Sequence, residues 1–182
     1  MEEWKECKLG DICKTNQSSY GINDNWEFVN YLDTGSITEN RIDNIQKIDL
    51  NSEELPSRAK RKVANDNIIY STVRPNQKHY GFIKEQPENF LVSTGFTVID
   101  VDKYKADPKF IYYILSQNDI TEKLHSIAEQ SVSAYPSIKP SDIENLFIHL
   151  LPLETQKKIA AIISSLDDKI ELNNKINDNL AA

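Results

Sequence analysis

Apolar and polar positions change their rhythm twice along the chain. From Trp26 to Val101 the apolar residues come in short alternating or continuous runs bounded by turn formers, which is the pattern of strands. Trp26–Leu32 (WEFVNYL), Ser36–Ile37, Asn67–Val73 (NIIYSTV), Tyr80–Ile83 and Asn89–Val101 are the strand candidates, the last with a break near Thr94-Gly95. Ahead of them, Trp4–Ile12 (WKECKLGDI) reads as a short strand or turn, and the polar run Lys14–Asn25 (KTNQSSYGINDN) as a loop. Asp107–Ser126 then places Phe110, Ile111, Ile114, Leu115, Ile120 and Leu124 near helical spacing with Pro108 suited to a first turn, so one or two helices are expected. Ser131–Pro140 (SVSAYPSIKP) reads as a loop, Ser141–Asn145 as a turn and Leu146–Leu151 (LFIHLL) as a last strand.

Past Pro152 a single period takes over. Ile159, Ile163, Leu166, Ile170, Asn173, Asn177 and Leu180 are separated by 4, 3, 4, 3, 4 and 3 residues, a heptad seam. A helix from Glu154 to Leu180, at about 1.5 Å per residue, would run roughly 40 Å, more than one small domain needs to cover its core. It either packs on its own domain or assembles with helices of another chain. Asn173 and Asn177 favour the second, because a buried seam amide fixes register, and Ile162 and Ile176 widen the apolar stripe as a bundle requires. The expected fold class is α+β: a β-rich globular domain with a few helices over residues 1–151, then a long coiled-coil-type helix over 152–182.

Composition narrows the chemistry. With 182 residues and 39% hydrophobic side chains the chain can build a core without staples. Cys7 and Cys13 match no zinc spacing and read as buried or idle thiols. No apolar run reaches about eighteen residues, and the opening MEEWKECKLGDI is acidic where a signal peptide is basic and then greasy, so a soluble, cytoplasmic protein is expected. Five glycines with neither GxGxxG nor GxxxxGK[ST] argue against a phosphate-cradling loop and against ATP or NAD chemistry. His79, His125 and His149 lie in no nucleophile or HExxH context, and the last two read as structural. No NPPY-like or PC-like methyltransferase motif occurs, and no carboxylate cluster with a lysine marks a nuclease. The chain is expected to hold no metal or cofactor and to catalyse nothing by itself.

The formal net charge of −7 opposes nucleic-acid binding until its distribution is read. Residues 56–84 hold seven basic side chains and one acidic, against five and twelve in 1–55 and five and ten in 85–149. Arg58, Lys60, Arg61 and Lys62 precede a strand candidate, and Arg74, Asn76, Gln77, Lys78 and His79 follow it. Lys and Arg grip phosphates, whereas Arg, Asn and Gln present forks that match base edges in the major groove. A solvated basic loop would show the same charges without needing the amides. Arg74 is the leading base contact: at a strand end before a proline its backbone should be fixed and extended, though it could instead pair with Asp33 or Asp66. Ser131, Ser133, Tyr135 and Lys139 form a second polar loop able to reach DNA, with Tyr135-Pro136 equally readable as a packed turn. Asn16–Tyr20 is a third candidate.

These segments resemble, in order, the target-recognition domain of the DNA specificity subunit of type I restriction-modification systems. WKECKLGDI is similar to the family's opening, and YLDTGSI (Tyr31–Ile37) to its strand and turn. PSRAKRKVANDNIIYSTVRP (Pro56–Pro75) is similar to its longest motif, STGF (Ser93–Phe96) to its central one and SAYPSI (Ser133–Ile138) to its loop. LPLETQKKIAAIISSLDDKIELNNKINDNL is similar to its helical spacer. The resemblance implies a non-catalytic subunit that reads one half of a split DNA site and docks through its spacer on methyltransferase subunits. Those partners bind S-adenosylmethionine and methylate adenine, and a separate motor subunit cuts DNA. Family members of full length carry two recognition domains and two spacers, and this chain carries one of each. The resemblance therefore implies a half-subunit that pairs with itself or with a second specificity half, a fragment, or a truncated form. A recognition domain of a fused type II restriction system, a protein-interaction adaptor that binds no DNA, and a metal-dependent nuclease are the competing readings.

Overall fold

The chain passes through β1 (Lys5–Lys8), β2 (Cys13–Thr15), β3 (Phe28–Leu32), β4 (Ile37–Thr38), β5 (Arg41–Ile42), β6 (Gln46–Asp49), β7 (Ala59–Lys62), β8 (Ile68–Ser71), β9 (Tyr80–Phe82), β10 (Phe90–Ser93) and β11 (Phe96–Val101). It continues through α1 (Pro108–Leu115), α2 (Asn118–Glu129), α3 (Pro140–Glu144), β12 (Phe147–Leu150) and α4 (Leu153–Ala181). The structure is a computed structural model that describes residues 4–131 and 135–181. The mixture of strands and helices closed by one long helix is the α+β class expected.

Two four-stranded sheets, ordered β6-β3-β10-β7 and β2-β11-β8-β9, carry the domain. Leu32 and Val92 from the first face Ile69, Phe96 and Val98 from the second, forming the inter-sheet core. On its far side the second sheet turns Ile68, Tyr70, Ile99 and Val101 onto Phe110, Ile111, Leu115 and Leu124 of α1 and α2. The outer face of the first sheet, with Val29, Tyr31 and Leu91, lies under Tyr20, Trp26, Leu50 and Leu55. Strands β8 and β10 are therefore buried on both faces, so their sequences read as continuous apolar runs instead of alternating ones. The break expected near Thr94-Gly95 is the crossing from one sheet to the other, preceded by a register shift between Val92 and Ser93.

Several expectations are corrected by pairing partners. The loop expected over Lys14–Asn25 begins inside β2, which pairs with β11. The basic run Ala59–Lys62 is itself a strand, antiparallel to β10. Residues 140–144 form the short helix α3 where a turn was expected, with Pro140 in its first turn and the Lys139 N–H donating to the Asp142 carboxylate at 2.7 Å. The helical stretch after Asp107 resolves into two, α1 being capped by the Asp107 carboxylate accepting from the Phe110 N–H at 2.9 Å.

Helix α4 packs on its own domain along one face. At its base Gln156 is buried, accepting from the Asp107 N–H at 2.9 Å and donating to the Leu151 carbonyl at 2.7 Å, while Ile159 and Ala160 pack on the core. Further out, Lys109 donates to Ser164, Tyr113 O–H to Asp167 at 2.7 Å, and Lys84 to Asp168 and Glu171 at 2.7 and 3.0 Å. One face is thus tethered to its own domain. The other leaves Ile162, Leu166, Ile170, Ile176 and Leu180 exposed. No helix among the described residues is long and apolar enough to cross a membrane.

Candidate nucleic-acid interface

The sheet crossing at Ser93-Thr94-Gly95 draws the separate motifs to one rim. The Thr94 N–H donates to the Arg58 carbonyl at 2.8 Å, and the Gly95 carbonyl accepts from the Thr72 N–H and hydroxyl at 2.8 and 2.9 Å. A Cβ at Gly95 would stand 2.7 Å from both Arg58 Nη2 and Thr34 Cγ2, so glycine is what lets the guanidinium and Thr34 close over the crossing. Below them the Tyr31 hydroxyl donates to Asp33 at 2.9 Å, and burial pushes that phenol up from its ordinary value. Segments 31–37, 56–62, 71–75 and 93–96, far apart in sequence, meet here.

Beside that junction, segment 136–138 runs along Thr72–Arg74. The Ile138 N–H donates to the Thr72 carbonyl at 2.8 Å, the Arg74 N–H to the Pro136 carbonyl at 2.9 Å, and Val73 and Ser137 form a bridge. The expected extended backbone at Arg74 is not what forms: its φ of 46° and ψ of 67° are left-handed. The β8–β9 connection reverses through a 3-10 turn at Pro75–Gln77 closed by another left-handed residue, Lys78 at φ 55°. Bonds to Pro136 and from the Gln77 N–H to the Arg74 carbonyl, 2.9 Å each, hold a conformation that costs about 1–3 kcal/mol for a non-glycine residue. The Arg74 guanidinium lies over the Tyr135 ring, 5.3 Å from its centroid.

The basic stretch divides by partner. Lys62 pairs with Asp24, over the Trp26 ring, and holds that carboxyl below its usual range. Lys78 pairs with Glu39 at 2.8 Å, and Lys84 with Asp168 and Glu171 of α4. His79 donates through Nδ1 to the Ile37 carbonyl at 2.5 Å, which fixes the orientation of the ring. Arg58, Lys60, Arg61 and Arg74 have no carboxylate partner among the described residues, and neither Asp33 nor Asp66 takes Arg74, since Asp66 pairs with Lys103 at 2.7 Å. Arg61 shares with Val92 the face turned toward the second sheet; half-buried there, its guanidinium is pulled down in pKa by desolvation and its Nε finds no partner. Asn76, Gln77, Tyr135 and Lys139 are exposed on the same loops, and Ser133 lies outside the described residues.

Asn16–Tyr20 proves to be an edge for β7, with the Tyr20 N–H donating to the Lys60 carbonyl at 2.7 Å and the Lys62 N–H to that of Ser18 at 3.1 Å. Sequence reasoning missed the β4–β5 hairpin, which puts Thr38 Oγ1 3.4 Å from His79 Nδ1 and Arg41 on the next strand. Its turn residues, Glu39 and Asn40, sit at φ 46° and 68° with no glycine, leaving Asn40 as the sole turn signal. Elsewhere His125 and His149 lie 3.5 and 3.7 Å from Glu129 and Glu6, burial pushes the Cys13 thiol up to about 12, and no cluster of three metal-ligating side chains occurs among the described residues.

The family description "Type I restriction modification DNA specificity domain" matches residues 1–182, and the chain belongs to that family. It is 34% identical over 180 residues to the type I restriction enzyme HindI specificity subunit of Haemophilus influenzae, covering 99% of this chain and 39% of that one. It is 27% identical to the putative MjaX specificity subunit of Methanocaldococcus jannaschii, covering 96% and 42%. The chain thus spans about two fifths of the length of these relatives. The crystal structure of the HsdS subunit from Thermoanaerobacter tengcongensis superposes with a TM-score of 0.76 at 25% identity over 95% of this chain and 44% of that one. The relatives are named specificity subunits, the non-catalytic members of their systems.

Proposed function

We propose that this chain reads duplex DNA through the rim where Arg58, Lys60, Arg61 and Arg74 gather, and docks on partner helices through α4. The observation that carries the reading is the division of the basic stretch. In a chain of net charge −7, Lys62, Lys78 and Lys84 are neutralised internally, while the exposed Arg58, Lys60 and Arg74 have no carboxylate partner among the described residues, and Arg61 is half-buried between the sheets. Lys60 and Arg58 suit phosphates, and Arg74, Asn76 and Gln77 suit base edges. Arg74, Asn76, Gln77, Lys78, His79, Tyr135 and Lys139 form the reading edge, with Lys78 and His79 bracing it.

The domain over 1–151 reads one half of a split site, and α4, over 152–182, is a spacer that pairs with a second copy or a second specificity half and docks methyltransferase subunits. Those subunits carry S-adenosylmethionine, in the cytoplasm. The test is retention of the chain on random-sequence duplex as salt rises, with and without a methyltransferase partner. Binding should fall linearly in log–log form, and Lys60→Ala and Arg58→Ala should each lower the slope by about 1 on every sequence. Retention absent at low salt in both conditions, with complex formation intact, leaves the adaptor reading in place of this one.

A further inference from the structure

We propose that Arg74, oriented by Tyr135, reads a guanine in the bound site; the inference rests on the DNA reading above and names the base. Three features of Arg74 separate it from the other unpaired cations. Its backbone is held in a left-handed conformation before Pro75, which a phosphate contact on a flexible side chain does not require. Its N–H is tied to the same segment, Tyr135–Pro136, whose ring lies against its guanidinium. Tyr135 itself is 61% exposed, so the pair stands at the surface of the rim and not in the core.

A guanidinium over an aromatic ring keeps its N–H groups directed in its own plane, as a rigid fork with five donors. Guanine is the base whose major-groove edge offers two adjacent acceptors, O6 and N7; adenine offers an acceptor and a donor, and cytosine a donor. A fork fixed in orientation discriminates by that difference, whereas a phosphate accepts from any direction. Asn76 and Gln77, exposed in the turn that follows, provide amides for neighbouring bases. Tyr135 acts through Arg74 and is a positioning residue.

The experiment selects bound duplexes from a random pool with the full chain, then titrates the selected duplex with wild type, Arg74→Met, Tyr135→Phe and Tyr135→Leu, each with guanines replaced in turn by 7-deazaguanine. One guanine should emerge at which loss of N7 weakens wild-type binding about tenfold or more. Arg74→Met should erase the sensitivity at that position alone, Tyr135→Phe should keep it, and Tyr135→Leu should reduce it with the salt slope unchanged. Should Arg74→Met not fold, as judged by thermal unfolding, Tyr135→Leu decides, being a change at an exposed side chain. Equal weakening of all duplexes by Arg74→Met with a salt slope lower by about 1 makes Arg74 a phosphate contact and overturns the guanine assignment. A selected motif insensitive to every 7-deazaguanine overturns it too. No enrichment and no salt-dependent retention by wild type defeats the DNA reading itself, and this inference with it.

Discussion

A methyl group added at Gly81 would stand 2.5 Å from Cδ1 of Ile37 and 3.0 Å from Oδ1 of Asn40, the oxygen that accepts the Phe82 N–H. Gly81→Ala must displace the buried Ile37 side chain or the β4–β5 hairpin that carries it, and overpacking of this kind costs about 1–3 kcal/mol, to be read as a lower denaturant midpoint at constant slope. Gly95→Ala meets the end of the Arg58 side chain, which can swing aside, and the methyl of the half-buried Thr34. It should therefore change stability less than Gly81→Ala and phosphate contact more; a ranking of the two variants that came out reversed in both unfolding and duplex retention would contradict the roles given to the two glycines. The types of these residues were plain in the sequence, and Ser93-Thr94-Gly95 stood out as a break. What sequence could not supply is who fills the space of a missing Cβ. Arg74 shows the same limit: the preference of a residue before proline for extended backbone is real, but hydrogen bonds with Pro136 and Gln77 outweigh it.

Among the elements, β8, β10, β11 and α1 were legible because their burial imposes apolar runs or a helical period. Strands β2, β6 and β7 were not, since CKT, QKID and AKRK expose one face or lie at an edge and owe their extension to partners such as β11 and β10. The heptad seam of α4 was legible, and its tether was not: Lys84, Lys109 and Tyr113 lie far from the tail in sequence. The tether carries a pH signature. Hydrogen bonds from Lys175 and Lys84 hold the Glu171 carboxyl down at about 2, and Lys84 does the same in direction for Asp168. A depressed carboxylate contributes its stabilisation above the ordinary value near 4.5 and loses it as pH falls toward about 2. Lys84, raised by the same pairs, keeps its contribution below its ordinary value of 10.5 and loses it only as pH rises beyond. Amide exchange across residues 162–175 should therefore quicken between about pH 4.5 and 2 relative to the base of the helix. Lys84→Met should bring a similar loosening at neutral pH, by no more than about fivefold because these pairs are solvent-exposed. Equal protection in Lys84→Met and wild type at neutral pH would mean that the Lys84 pairs hold nothing.

For the whole molecule, the question is what covers the untethered side of α4. Ile162, Leu166, Ile170, Ile176 and Leu180 form one exposed stripe on a 29-residue helix, roughly 43 Å long. At its base it adjoins an open hollow lined by Trp4, Ile114, Phe147, His149 and Ile163, so the apolar surface continues from helix to domain. A stripe of that extent on a monomer marks an interaction surface. Because the opposite face is fixed to the domain by Gln156, Asp167, Asp168 and Glu171, the stripe is presented in a set direction, and pairing two copies through it would hold two recognition rims at a fixed separation. Self-association through α4 makes a specific expectation. Leu166 and Ile170 are 57% and 58% exposed, so Leu166→Glu with Ile170→Glu should leave the fold of the single chain almost unchanged while lowering the solution mass from two chains to one. Asn173→Leu with Asn177→Leu should do the opposite, tightening association while relaxing its register, since a seam amide costs stability and specifies alignment. Light scattering across a dilution series reads both. A mass of one chain for wild type at every concentration, or a mass of two chains that survives the glutamates, would refute pairing through this seam.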